Sequence, residues 1–326
     1  MAALSKPETP EERQTRISKV IKALSWSFFL GVTALCTPLQ VEPEIITKLY
    51  KGNLASAATA ITSMSALAGL LEFALNPSMG SMSDVIGRRP FFIFGPLIVA
   101  VSNALVALQG GTSRNLVLLN AILRKAGATF GGSVATMAVL TDLCKGNEFS
   151  MNFSKVFGMA GFGVIMGPLA ATTLQKMTGS SPRSVYLLTS LFALIQLYVN
   201  YNGIPETRQL ITEEEEVTTA SATSTNTAKP LQFKGFVSPF AFTKLFTKTK
   251  ELTKICLAAS LPSFCEGKNI NDLNILWLRN NAGLNPSDIG AVSNIFVVFF
   301  VVFFVVFFVV FFLLSFCCLL CNNKVL

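Results

Sequence analysis

Apolar and polar positions along this chain fall into long alternating blocks. Eight mostly apolar runs of roughly twenty residues, at about 22–41, 53–75, 90–109, 115–141, 155–176, 184–203, 253–277 and 289–314, are separated by polar breaks. At about 1.5 Å of rise per helical residue, each can cross a hydrocarbon core of about 30 Å. In hydrocarbon every backbone amide must find its partner inside its own segment. The runs therefore predict membrane-spanning α-helices and an all-α membrane protein.

The polar blocks divide the chain. Residues 1–21 form a charged tail, and 22–205 hold six spans. Residues 206–252 are a linker, 253–314 hold two more spans, and 315–326 are a second tail. The linker opens on Glu213 to Glu216, continues as "VTTASATSTNTAK", and turns basic from Lys229. Its first part has too little apolar surface to fold alone and is predicted to be disordered. Lys and Arg concentrate on the side shared by the N-terminal tail and the linker, which places the N-terminus in the cytoplasm. The acids Glu8, Glu11 and Glu12 argue against an organelle transit peptide. The first run, flanked by Lys and followed by more spans, reads as an anchor and not a cleaved signal.

Composition strengthens the membrane reading and removes other classes. Hydrophobic residues make up 51% of the chain and charged residues 13%, with a mean hydropathy of +0.55. The net charge of +8 is spread over short loops and not over one basic face, so no nucleic-acid partner is expected. With no histidine, the chain has no His-based metal site and no His base. Cys36, Cys144 and Cys256 lie in or beside apolar runs as small hydrophobes, and Cys318 and Cys321 form a C-x-x-C with no second pair. Gly158, Gly161 and Gly163 have a glycine spacing seen in dinucleotide loops, but they sit inside a span with no preceding strand. Neither an enzyme nor a cofactor is expected.

The break between the second and third runs reads "NPSMGSMSDVIGRRP". Here Gly80 is placed to let helix ends approach, and Asp84 to cap the third span at its positive end. Gly87 suits a tight turn, and Arg88 and Arg89 suit an anionic leaflet. The pattern Gly80-x-x-x-Asp84-x-x-Gly87-Arg88-Arg89 resembles the loop motif of the major facilitator superfamily, at the position the family places it. It departs from that motif at Val85, where a basic residue usually follows the Asp.

Further stretches resemble the same family in order. "LRKAGATFGGS" in the fourth run resembles its membrane-embedded Arg motif, with Arg124 as the charge and Gly127, Gly131 and Gly132 as a close-packing face. Lys125 is expected to point elsewhere and snorkel. "GFGVIMGPLAA" in the fifth run resembles the Gly-Pro motif usual in proton-coupled antiporters, through Gly163, Gly167 and Pro168, with Ala171 where Gly is commoner. "IPETR" resembles the signature ending the sixth span, through Pro205, Glu206 and Thr207. In the seventh run, Pro262 and Gly267 interrupt the helix beside Glu266, a cavity candidate after Arg124. Glu72, late in the second run, is a third.

The resemblance implies a major-facilitator-type helical bundle with a complete six-helix N-terminal half. It also implies transport of a small solute by alternating access, coupled to protons. Arg124, Glu266 and Glu72 would serve the cavity, and Gly80, Asp84, Gly87, Arg88 and Arg89 a cytoplasmic gate. From Val297 to Phe312 the chain repeats VVFF, with no small residue for helix packing and no polar residue for a cavity. The family pattern thus stops after about two helices of the second half. A truncated, transport-inactive chain that associates with a full-length relative is the alternative expectation.

Overall fold

A computed structural model describes residues 10–39, 41–179 and 181–207 and a few positions between 249 and 258. Almost all of the seventh span and of the linker, and all of the eighth span, Glu266 and the VVFF repeat, lie outside the described residues.

Among the described residues the elements are α1 (Pro10–Cys36), α2 (Glu42–Leu49), α3 (Leu54–Ile86), α4 (Arg89–Leu108), α5 (Arg114–Phe130), α6 (Ser133–Leu143), α7 (Asn147–Thr178) and α8 (Pro182–Gly203). The helices α1, α3, α4, α7 and α8 are each long and apolar enough to cross a membrane. The fourth predicted run instead forms two helices. Glycine is a poor helix former, and two in succession at Gly131 and Gly132 end α5 and start α6.

Two further differences from the expected layout have local causes. The polar break after the second run is not a loop: α3 continues through Asn76 to Ile86, because Ser, Asn and Asp on an otherwise helical segment do not stop a helix already nucleated. The turn is confined to Gly87 and Arg88. Between the first and second spans stands α2, which apolar run length could not reveal. Pro43 in its first turn, Glu42 and Glu44 at its start and Lys48 at its end match the helix geometry and dipole. Asn53 then caps α3, its side chain accepting from the Ser56 amide at 3.1 Å.

Packing is tightest where side chains are smallest. Helix α1 lies along α7 and α8, α4 along α8 and α5, and α3 along α5. A Cβ added at Gly163 would stand 2.8 Å from the Phe29 carbonyl oxygen. One added at Gly167 would stand 2.9 Å from that of Thr33, so both glycines let α7 approach the backbone of α1. Gly95 and Gly127 do the same for α4 and α5, where a Cβ on Gly95 would sit 2.8 Å from the Gly127 carbonyl. Pro168 lies inside α7 and has no amide to give to the preceding turn.

Two apolar clusters fill the ends of the bundle. One gathers Ile45, Ile46, Ile61, Val106, Val117 and Tyr186 around α2. The other gathers Val20, Leu24, Phe92, Val139, Leu140 and Val156 near Gly87. Outward, Phe94, Leu97, Val101, Leu105 and Leu108 form an exposed stripe on α4 at helical spacing, matched by Leu187, Leu191 and Leu194 on α8. Such stripes suit contact with acyl chains.

Candidate functional site

Two clusters of charged side chains bear on the site, one around Gly87 and one within α5. At the Gly87 end, α3 closes with the Gly87 amide bonded to the Ser83 carbonyl at 3.2 Å. Gly87 has φ +103°, and a Cβ there would stand 2.8 Å from the Glu206 Cδ, so only glycine fits. The chain then enters α4 with no side-chain cap of its own. The Glu206 carboxylate takes that role from a distance in sequence: Oε1 accepts from the Arg88 amide at 2.8 Å and Oε2 from the Arg89 amide at 3.1 Å. Two orphan donors and the positive end of the α4 dipole thereby meet one anion.

The Arg88 side chain turns the other way. Its Nε donates to Asp142 Oδ2 at 2.6 Å and its Nη2 to Oδ1 at 3.3 Å, a two-pronged pairing with α6, while Nη1 donates to Ser83 Oγ at 2.8 Å. Arg89 lies over the Tyr201 ring with 5.3 Å to its centroid, and its Nη2 donates to the Tyr201 carbonyl. Four helices, α3, α4, α6 and α8, are thus joined within a few residues.

The sequence motifs map onto this cluster unevenly. Gly87, Arg88, Arg89 and Glu206 meet in it. Thr207 is buried beside it and Pro205 is exposed. Nothing among the described residues lies within 4 Å of a Cβ placed at Gly80. Asp84 belongs to α3, and its side chain lies outside the described set. Asp142 carried no motif. The available signal was a lone acid at the end of an apolar run, on the side where the Arg residues collect.

The second site lies deeper. Ten residues into α5, about 15 Å along the helix, Arg124 is fully buried. It forms an ion pair through Nη2 with Glu42 of α2, and Nη1 donates to the Leu35 carbonyl at 3.3 Å. Among the described residues, Arg124 Nε, Glu42 Oε1 and the Tyr186 hydroxyl are buried with no hydrogen-bond partner. The sequence signal for Glu42 was a pair of acids, Glu42 and Glu44, at the start of the break between the first and second runs.

Arg124 also lines a cavity of about 270 Å³ with Glu72, Asn76, Lys125 and Gln196, closed on its apolar sides by Phe28, Leu35 and Val99. Lys125 does not turn away to snorkel. It shares the cavity and donates to Ser65 Oγ at 2.9 Å, since α5 packs against α3, which carries that hydroxyl. Gly127, Gly131 and Gly132 form part of the same wall. Among the described residues no group of three or more His, Cys, Asp or Glu side chains could hold a metal ion.

Residues 23–320 match the family model described as Major Facilitator Superfamily. Two curated relatives are tetracycline resistance proteins. The class C protein of Escherichia coli is 28% identical over 117 residues, which is 36% of this chain and 28% of the relative. The class H protein of Pasteurella multocida is 24% identical over 160 residues, 47% of this chain and 38% of the relative. The match thus spans well under half the length of either relative. Among solved structures, the human organic anion transporter MFSD10 (TETRAN) is similar at 20% identity and a TM-score of 0.49, over 61% of this chain and 49% of that one. With its apolar helices and this family match, the chain is an integral multi-pass membrane protein and belongs to the major facilitator superfamily, whose members are transporters and not enzymes.

Proposed function

We propose that the chain is a secondary active transporter that moves a small solute by alternating access, coupled to protons, with its N-terminus in the cytoplasm. The observation that carries this reading is a cavity between apolar helices with two cations and a carboxylate on its wall. Charges at membrane depth are costly unless they face a cavity or a partner, and they mark solute and ion paths. Arg124 and Glu72 serve that cavity. Glu266, outside the described residues, joins them in this reading.

The Gly87 cluster is the cytoplasmic gate. Its bonds tie the start of α4 to the ends of α6 and α8, so these three ends move together or not at all. Gly80 and Asp84 belong to the same element of the gate. Gly163, Gly167 and Pro168 hold α7 against α1, and the antiporter-like motif they form is the support for proton coupling.

Two relatives are named as tetracycline resistance proteins, so tetracycline is the first solute to try. Purified full-length chain is reconstituted in sealed vesicles and labelled tetracycline is followed with and without an imposed pH gradient. Flux that needs the gradient and disappears in Arg124→Ala, with unchanged incorporation, supports the reading. Absence of flux for tetracycline and a broad solute panel sinks it. The alternative, a transport-inactive chain associated with a full-length relative, would then be sought by copurification.

A further inference from the structure

We infer that Glu42 sets the charge preference of the cavity by neutralising Arg124, so that the Arg124 end of the site accepts an uncharged or zwitterionic group in preference to an anion. The inference rests on the reading of this cavity as a solute site and adds what class of group it takes there.

The geometry has an inner and an outer side. Arg124 contributes to the cavity wall, whereas Glu42 does not and reaches the guanidinium from α2 behind it. Both side chains are withdrawn from water, at 0% and 8% exposure, so solvent screens their mutual field little. Seen from the cavity the two form a dipole and not a cation. The other charges on the described wall, Lys125 and Glu72, are opposite in sign. With Glu42 counted, the described charges balance. Without it, the wall carries one uncompensated positive charge next to the amides of Asn76 and Gln196.

Glu42 is therefore a positioning residue acting through Arg124. The pairing is not required to dock α2, since Ile45 and Ile46 already fill the apolar cluster at that end. Among the described residues the bond also leaves Glu42 Oε1 and Arg124 Nε unpartnered, so satisfying every polar atom is not what it achieves. What it does achieve is to cancel a charge that the cavity would otherwise display.

The test reads potential directly and needs no known solute. Ala128→Cys, one helical turn from Arg124 on the cavity wall, is introduced into the full chain in lipid nanodiscs. Its modification by an anionic and a cationic methanethiosulfonate reagent is timed by mass spectrometry of the peptide carrying it. Glu42→Gln should raise the anion-to-cation rate ratio roughly tenfold, because a unit charge one turn away acts at low effective dielectric. Glu42→Asp, which keeps the charge, should stay near the parent ratio, and Glu42→Gln combined with Arg124→Gln should return to it. If Glu42→Gln does not fold, Arg124→Gln carries the test with opposite sign, the ratio falling roughly tenfold. A ratio within about twofold of the parent in whichever single variant folds overturns the inference. A chain that transports nothing still yields these rates, so failure of the transport reading is recorded separately by the flux assay.

Discussion

Arg88 and Arg124 are both buried guanidinium groups paired with a carboxylate from a distant helix, yet their surroundings differ. Around Arg88 the donors are matched: two go to Asp142 and one to Ser83, and its amide goes to Glu206. Around Arg124 the pairing with Glu42 and Leu35 leaves Nε, Glu42 Oε1 and the Tyr186 hydroxyl without partners among the described residues. A network with matched donors and acceptors is rigid, because each bond holds its neighbours in place. A buried pair with spare polar atoms is dearer to maintain, and its gain over an apolar contact is small or negative. The pairings of Arg88 thus form a joint between helices, with Arg89 Nε and Thr207 Oγ1 left over at its edge among the described residues, whereas the Arg124 end keeps its unused bonding capacity beside a cavity.

Breaking the Arg124 pair should have the largest effect on stability. Glu42→Ala strands a fully buried charge and should destabilise the fold by about 3–5 kcal/mol, measured by chemical unfolding in detergent. Adding Arg124→Met should recover most of the loss, and a double variant as weak as the single one would contradict the pairing. Gly167→Val comes next. The added atoms meet the Thr33 carbonyl and Cys36 Cβ, and overpacking here should lower stability by about 1–3 kcal/mol. Asp142→Asn leaves Arg88 without its anion at the edge of the bundle and should lose about 2 kcal/mol, visible as a drop in Tm.

Smaller effects sharpen the contrast. Glu206→Gln keeps an acceptor for one of the two α4 amides but loses the other and the anion at the dipole, for a loss of about 1 kcal/mol. A loss as large as that of Glu42→Ala would mean that Glu206 does more than cap. Gly80→Ala meets open space among the described residues on a helix, so it should stabilise by about 0.5–1 kcal/mol. If transport nonetheless falls in that variant, Gly80 is needed for movement and not for the resting fold.

How much of this was legible beforehand depends on the range of the interaction. Runs of apolar residues announce spanning helices because each residue reports independently on the same solvent. Gly163 and Gly167, four apart in an apolar run, likewise point to a close approach within one helix face. That Arg124 needs a partner follows from the run that holds it. That the partner is Glu42, 82 residues away and on a helix too short to register in a twenty-residue window, does not. Asp142 and Glu206 stand 54 and 118 residues from Arg88, so their convergence depends on how the helices are arranged. The split of the fourth span was written in Gly131-Gly132, but small residues serve both close packing and helix termination, and composition alone does not choose between them.

The grip of Glu206 on the first two amides of α4 also has a mechanical side. Glu206, whose carboxylate holds the Arg88 and Arg89 amides, stands just past the C-terminal end of α8. Tension arriving along the backbone from beyond that point is therefore delivered to the first turn of α4 before it reaches α8. The clamp works as a belay: a pull on the downstream chain and a loosening of the joint between α3 and α4 are the same event.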